Sequence, residues 1–460
     1  MYRSNLYKLI SDEEEAKKWY NEKLQEFNVT EEHINQYLNN FKIDYTEETI
    51  QKYVNIVSYF QFDIQDELSK YIYDNYIVKY KFLDKICNYH CIKFLIENKC
   101  KDEYNGMNND LNDNLLLYIT KYIEIKELYV SRIISNIGLQ NCYYIEKLIM
   151  VNNHEITSFI PFEKTLKYLN ASNSSITDET LKNCNNIISL KADYAKYITT
   201  CDPFANNLIE LNASKKHCGI DDAGLKKCCN LQFLTANGNK KITTCDPFAQ
   251  SLIVLNVLCC IENSGIDDKG LQNCSKLQIL NAYNNVKITN CEAFKNTLIE
   301  LDASCECGIN DEQLKNCINL QKLVLEDNQN ITTIKTIAHN LIELSLECNN
   351  CITNDELKLC TKLKTLIISH NNKITDCNCL KDTLENLIAQ ECIVNDEGIK
   401  ECYKIKYLDI TSNSNITTCK PFYETLEYLN ISNFYCGNVC GIDKTSEEIK
   451  KCINLKKLIT

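Results

Sequence analysis

The stretch Cys317–Cys360 reads CINLQKLVLEDNQNITTIKTIAHNLIELSLECNNCITNDELKLC. It contains two half-units, each with leucines in the pattern L-x-x-L-x-L and an asparagine three residues after the last leucine. In the first half-unit these residues are Leu320, Leu323, Leu325 and Asn328. The alternating L-x-L predicts a β-strand with one apolar face, and the asparagine predicts a turn. The stretch therefore predicts two short strands, each followed by a turn and a return segment.

The same unit recurs along roughly the last three quarters of the chain. Its leading cysteines follow one another at intervals of 42 to 50 residues and are Cys142, Cys184, Cys228, Cys274, Cys317, Cys360, Cys402 and Cys452. The turn after the first strand is Asn in six of seven units, the positions being Asn153, Ala195, Asn239, Asn285, Asn328, Asn371 and Asn413. All four prolines occupy one site of the unit and precede phenylalanine, at Pro161, Pro203, Pro247 and Pro421. This regularity predicts two repeats of about 22 residues in each unit.

The order C-x2-L-x2-L-x-L-x2-N-x2-I-T, with I-T-D-x2-L-x2-C at Ile176–Cys184, resembles the cysteine-containing subclass of leucine-rich repeats. That subclass is common in F-box ubiquitin-ligase receptors. The resemblance covers residues 122–460 and implies an α/β leucine-rich-repeat solenoid, a horseshoe with a parallel inner sheet and short helical or 3-10 segments on its convex side. We expect about 14 to 15 repeats of about 22 residues, which is short for that subclass. The outer helices should therefore have only one or two turns.

Residues 1–121 lack the repeat and are predicted to be mostly helical. Thr30 and Thr46 are each followed by acidic residues, a pattern that predicts helix starts. The simplest interpretation is a helical cap that buries the first repeat. Two alternatives would make this region recruit the core of a ubiquitin ligase. Leu111–Ile125 has the apolar content of an F-box without its Leu-Pro start, and Tyr53–Ile72 faintly resembles the C-terminal helices of BTB or Skp1-type folds.

The charge and the cysteines restrict the environment of the protein. A formal net charge of −12 argues against a nucleic-acid partner. The sequence has no apolar run long enough for a signal peptide or a membrane span. Neighbouring leading cysteines should lie two strands apart, about 9.5 Å, whereas a disulfide needs Cα atoms within about 7 Å. We therefore expect buried thiols in a cytoplasmic, reducing environment, with no membrane association. A secreted, disulfide-bonded receptor is the alternative.

No pattern of residues indicates catalysis or cofactor binding. The six histidines form no repeated ligand set, and pairs such as Cys305-x-Cys307 and Cys377-x-Cys379 are expected by chance among 28 cysteines. We therefore predict no enzyme activity, cofactor or metal site. The recurrent Asp221-Asp222 and Asp267-Asp268 are better explained as N-terminal helix caps than as catalytic acid pairs.

The strand residues beside the leucines form the predicted inner, concave face, which is rich in amides and hydroxyls and mildly acidic. Such a surface can hold a protein or peptide through many hydrogen bonds. We predict a non-enzymatic protein-interaction scaffold, or alternatively a ubiquitin-ligase substrate receptor. The candidate binding residues are Asn170, Ser172, Asp193, Asn212, Ser214, Asn237, Asn281, Tyr283, Asp302, Ser304, Glu326, Glu347, Asp409, Thr411, Asn430 and Ser432.

Overall fold

The computed structural model describes Asp113, Leu116, Leu117, Thr120 and residues 124–130, 132–259, 264–434 and 439–460. The chain divides into two compact units, Met1–Asn170 and Ala171–Thr460. The helices predicted within residues 1–100, and the region that faintly resembles a BTB or Skp1-type fold, lie outside the described residues. Leu111–Ile125, the stretch with the apolar content of an F-box, is described only in part. The boundary at residue 121 stays a prediction.

Strands of three residues build both units. In the first unit, β1 (Glu127–Tyr129), β2 (Lys147–Ile149) and β3 (Tyr168–Asn170) pair in parallel. In the second unit, each of thirteen strands pairs in parallel with the next along the chain. These are β4 (Ser189–Lys191), β5 (Glu210–Asn212), β6 (Phe233–Thr235), β7 (Val254–Asn256), β8 (Ile279–Asn281), β9 (Glu300–Asp302), β10 (Lys322–Val324), β11 (Glu343–Ser345), β12 (Thr365–Ile367), β13 (Asn386–Ile388), β14 (Tyr407–Asp409), β15 (Tyr428–Asn430) and β16 (Lys457–Ile459).

Every described strand has leucine as its central residue, and the leucines of paired strands stand opposite one another, as Leu323 does with Leu344. All but Leu458 of β16 are at most 2% exposed. Of the sixteen described strands, β2–β15 belong to the seven regular units, and β1 and β16 lie outside them.

The return segments alternate between two forms. Four-residue α-helices follow every second strand, and five of the other described return segments contain a short 3-10 turn, at Asp202–Phe204, Asp246–Phe248, Ala338–Asn340, Asn378–Leu380 and Lys420–Phe422. The helices are α1 (Asp178–Leu181), α2 (Asp222–Leu225), α3 (Asp268–Leu271), α4 (Asp311–Leu314), α5 (Asn354–Leu357), α6 (Asp396–Ile399) and α7 (Glu447–Lys450). The prediction of outer helices with one or two turns is confirmed.

The acidic pairs cap helices, as predicted. Oδ1 of Asp221 accepts the Gly224 N–H at 3.0 Å, and Asp267 makes the same bond to Gly270 at 3.0 Å. The phenylalanines that follow the four prolines are at most 1% exposed, and the eight leading cysteines are at most 5% exposed. The predicted burial of the leading cysteines is therefore confirmed.

The turn asparagines connect neighbouring repeats from inside the core. Asn349 is fully buried, and its Nδ2 donates to the carbonyl oxygens of Leu325 at 3.1 Å and Asn328 at 2.9 Å. Its Oδ1 accepts the N–H groups of Cys351 at 2.9 Å and Ile352 at 3.2 Å. One side chain thus forms hydrogen bonds with four backbone groups that lie outside the strand pairing. The equivalent residues at most 1% exposed are Asn153, Asn239, Asn285, Asn328, Asn371 and Asn413.

A second inter-repeat contact was not predicted. The Asp311 carboxylate accepts the Thr332 N–H at 2.8 Å, the Thr332 hydroxyl at 2.6 Å and the Thr333 N–H at 3.1 Å. Because Asp311 begins α4, this carboxylate ties a helix to the following repeat. The same contact joins Asp178 with Thr199, Asp222 with Thr243, Asp268 with Thr289 and Asp396 with Thr417.

Removal of one turn asparagine should destabilise the fold far more than removal of its exposed neighbour. Asn349→Ala removes a side chain that forms hydrogen bonds with two carbonyls and two N–H groups in the core, and we expect a loss of roughly 2 kcal/mol or more of unfolding free energy. Urea denaturation followed by circular dichroism measures this loss. The control is Asn350→Ala, because Asn350 is exposed and makes one contact of 3.4 Å. Equal unfolding midpoints for the two variants would contradict the stabilising role of the buried turn asparagines.

Candidate functional site

The residues on either side of each central leucine point away from the core. In β5, for example, Glu210 and Asn212 flank the buried Leu211 and are more exposed than it. The second residue after each strand lies on the same side because side chains alternate along the chain. We call the surface that these three rows form on β4–β16 the open face.

The structure places fourteen of the sixteen predicted binding residues in two of these rows. Asn170 ends β3 in the first unit, and Ser172 precedes β4 in the second unit. The row at the strand ends of the open face contains Asn212, Asn281, Asp302, Asp409 and Asn430. The next row contains Asp193, Ser214, Asn237, Tyr283, Ser304, Glu326, Glu347, Thr411 and Ser432. The role of all sixteen residues in binding stays a prediction.

Several predicted hydroxyl donors are engaged within the protein. Oδ1 of Asp302 accepts the N–H of Ser304 at 3.1 Å and its hydroxyl at 2.6 Å. The hydroxyl of Ser304, which is fully buried, also accepts the Glu326 N–H at 3.2 Å. The same carboxyl or amide contact to a hydroxyl recurs at Asn212 with Ser214, Asp409 with Thr411 and Asn430 with Ser432. These hydroxyls brace the strand ends, so carboxylates and amides dominate the accessible surface of the row.

Asp193 lies between two other predicted residues. Its Oδ2 accepts Nδ2 of Asn212 at 2.8 Å and the Ser172 hydroxyl at 3.3 Å. Burial raises the pKa of Asp193 even though these hydrogen bonds favour its ionised form. The carboxylate is therefore held by neutral donors rather than by an ion pair.

An acidic run crosses β9–β11 near the middle of the open face. It comprises Asp302, Glu326, Asp327 and Glu347. Burial raises the pKa of Glu326, and the charges of Glu347, Asp302 and Asp327 raise it further. Lys322 is the nearby cation of this face, but its Nζ already pairs with Glu343 at 2.7 Å. The run therefore presents negative charge that the protein itself compensates only in part.

Two tyrosines on the open face were not among the predicted residues. The rings of Tyr407 and Tyr428 stack with centroids 4.1 Å apart and planes 5° apart, and Nζ of Lys457 lies 5.4 Å from the Tyr428 ring centroid. Burial and then the Tyr428 hydroxyl raise the pKa of Tyr407 to about 12. Their position in the repeat could have identified them from the sequence. Both tyrosines immediately precede the central leucine of their strands. The predicted binding residues all follow that leucine.

A row of alternating charges lies near Tyr407 and Tyr428. Its residues stand immediately before strands β12–β16. Lys364 and Lys406 both pair with Glu385, at 3.5 and 2.8 Å, and Lys456 pairs with Glu427 at 2.6 Å. These pairs are largely exposed, so each contributes little to stability. The positive and negative charges of these pairs do, however, offset one another beside the two tyrosines.

The described residues include no group of three or more His, Cys, Asp or Glu side chains placed to hold a metal ion. The C-x-C pairs do not converge, since Cys307 and Cys377 are buried whereas Cys305 is partly exposed and Cys379 is exposed. In the same part of the chain, no helix is long and apolar enough to cross a membrane.

Comparisons with known proteins identify the fold. No protein-family model matches the sequence, and no curated protein matches it. Among solved structures, the TLR13–ssRNA13 complex is similar over 79% of this chain and 64% of the TLR13 chain, with 17% identity and a TM-score of 0.51. An internalin of Listeria monocytogenes covers 80% of this chain and 92% of its own at 20% identity and a TM-score of 0.41. A leucine-rich-repeat protein of Leptospira interrogans is similar over 79% of this chain and 97% of its own chain, with 18% identity and a TM-score of 0.43. Together with the repeated strand, turn and return segment, the similarity to TLR13 establishes a leucine-rich-repeat solenoid fold.

The raised pKa of Glu326 predicts a pH-dependent gain in stability when its charge is removed. Because the folded protein disfavours the ionised carboxylate, Glu326 costs stability above its folded pKa, and this cost disappears as the pH falls below the ordinary value of 4.5. Glu326→Gln should therefore raise the urea midpoint at neutral pH and lose that advantage in acid. Glu312→Gln, at a side chain 74% exposed in α4, should give no such gain. A Glu326→Gln midpoint at or below wild type at neutral pH would refute the electrostatic argument.

Proposed function

We propose that this protein is a non-enzymatic scaffold that binds a protein partner on its open face. The acidic run Asp302, Glu326, Asp327 and Glu347 is the observation that carries this proposal. Burial raises the pKa of Glu326, and the charges of the other three carboxylates raise that pKa further. A partner that brings lysine or arginine to this run would relieve the repulsion and gain charge-assisted hydrogen bonds.

The surroundings of the run suit a protein more than a small molecule. Parallel strands present side chains at regular spacing across the whole open face, so contacts can accumulate over an extended partner. The stacked Tyr407 and Tyr428 offer the rigid aromatic surface that anchors many protein interfaces. The amides of Asn237, Asn281 and Asn430 can each donate and accept hydrogen bonds.

TLR13 forms its complex with ssRNA13, and the acidic run argues against a nucleic-acid partner here. Nucleic-acid binding depends on lysine and arginine that neutralise phosphates. The open face instead concentrates carboxylates at β9–β11, and the whole chain has a formal net charge of −12. The ubiquitin-ligase alternative concerns residues 1–121, which lie almost entirely outside the described residues, and no structural observation favours it. A cytoplasmic location remains part of the proposal.

Charge reversal on the open face should abolish partner binding. The test compares the full-length wild type with the double variant Glu326→Lys and Glu347→Lys as immobilised baits, with bound proteins quantified by mass spectrometry. We expect a partner with a basic surface to be depleted at least about tenfold, because two attractive charges become repulsive. In the free protein, the same change relieves self-repulsion and should preserve the fold.

The matched control is the double variant Glu312→Lys and Glu397→Lys, which makes the same charge change on α4 and α6. These two side chains are 74% and 79% exposed and lie away from the open face. This control should retain the partner at the wild-type level. Equal loss of the partner from both double variants would indicate a non-specific charge effect, and equal retention would place the binding surface elsewhere.

A further inference from the structure

Three adjacent strands of the open face carry apolar side chains immediately before their central leucines. They are Phe233 of β6, Val254 of β7 and Ile279 of β8, and the strand register places Phe233 opposite Val254 and Val254 opposite Ile279. Phe233 is 40% exposed, and the other two residues are partly exposed. No other three consecutive strands among β4–β16 have apolar residues at this position. We call these three residues the apolar row.

A groove of about 310 Å³ adjoins the apolar row. Three of its lining residues immediately precede the residues of the row, and the others belong to return segments; they are Gln232, Ile253 and Gln278, and Gln250, Ser251, Lys276 and Thr297. The Ser251 hydroxyl donates to the Leu231 oxygen at 2.8 Å, and the Thr297 hydroxyl donates to the Leu277 oxygen at 2.7 Å. These two hydroxyl protons are therefore used within the protein. The row is bordered by a recess rather than by a flat surface.

The charge of the open face changes between β8 and β9. Ile279 stands opposite Glu300, and Asn281 stands opposite Asp302, which is the first residue of the acidic run. Lys276, which lines the groove, brings positive charge to the apolar side of this boundary. An apolar surface with a cation at its edge thus lies directly beside a surface of carboxylates.

We propose that the partner of the open face places an apolar anchor on the apolar row and its groove, and lysine or arginine on the acidic run. This inference rests on the proposed function and adds the chemistry of the partner segment. Lys276 repels the basic part of such a segment from the groove, and Glu326 attracts it, so the two charges set its direction. Burial of the apolar anchor supplies binding energy that exposed charge pairs alone do not.

The sheet geometry sets the distance between the two parts of the partner segment. Val254 lies in the middle of the apolar row, and Glu326 lies near the middle of the acidic run. They are three strand intervals of roughly 4.8 Å apart across the sheet and four residues of roughly 3.3 Å apart along it, a separation of about 20 Å. An extended segment spans this distance with about six residues. The anchor and the basic residues should therefore be separated by about that number of positions.

The test selects a phage-displayed library of random peptides on the immobilised full-length wild-type protein. Peptides of about 15 residues are long enough to hold both parts in an extended form. We expect the enriched peptides to combine a large apolar residue with lysine or arginine about six positions away. Absence of enrichment, or enriched peptides that lack either part, would overturn the proposal.

Fluorescence anisotropy with a labelled synthetic copy of the most enriched peptide tests the apolar row itself. Phe233→Thr with Ile279→Thr removes two members of the row, and threonine suits a strand, as Thr365 does at the same position of β12. This double variant should bind the peptide at least about tenfold more weakly, because apolar burial is lost. The matched control is Ile318→Thr with Ile453→Thr, at return-segment residues that are 51% and 76% exposed, and it should bind like wild type.

A milder variant keeps the test valid if the double variant is unstable. Val254→Thr changes the middle of the row with almost no change in volume, and it should weaken peptide binding about threefold because a hydroxyl replaces a methyl group. Urea midpoints equal to that of the wild type show that a variant is folded. Wild-type affinity in the folded Val254→Thr protein would count against the apolar anchor.

The charge-reversed protein, Glu326→Lys with Glu347→Lys, separates this inference from the proposed function. A peptide that binds the charge-reversed protein weakly but binds the threonine variants of the row like wild type would overturn the apolar anchor and leave the proposed function standing. A peptide that binds the charge-reversed protein as tightly as wild type would overturn the acidic run as a binding surface, and with it both proposals.

Discussion

The column of central leucines is the interaction on which the rest of the structure depends. A three-residue strand forms too few hydrogen bonds to persist alone, and a single repeat cannot enclose its own leucine. Each leucine becomes buried only when the next strand places another leucine beside it, as Leu323 and Leu344 do. Burial of one such side chain contributes about 1.5 to 3 kcal/mol, so stability accumulates along the stack rather than within any one repeat.

Such short strands leave much of the backbone without sheet partners, and this explains the polar residues of the core. Asn349 satisfies two carbonyls and two N–H groups of adjacent turns. The carboxylate of Asp311 performs the corresponding task between a helix and the following return segment. These side chains are conspicuous in the sequence because each replaces backbone hydrogen bonds that longer strands would have made.

The open face has more freedom, because its side chains do not have to fill a core. That freedom allows the acidic run around Glu326 and the tyrosine stack of Tyr407 and Tyr428 to occupy the surface of different strands. The return side is constrained differently. There, the Cys201 N–H donates to the Gly224 oxygen at 3.0 Å, and a Cβ on Gly224 would lie 2.1 Å from the Thr199 oxygen, so the approach of adjacent return segments requires a residue without a side chain.

The sequence by itself determined the repeat, the strands centred on leucine, the asparagine turns and the short capped helices. The repeat period and the pattern of polar and apolar residues suffice to predict these features, because each feature is a property of a single repeat. Only the tertiary structure decided that Ser304 is buried with hydrogen bonds to Asp302 and the Glu326 N–H, and that Asp311 holds Thr332. These contacts join different repeats or depend on the space between them. Spacing along the chain does not specify how residues of adjacent return segments approach one another, since lateral stacking sets that distance.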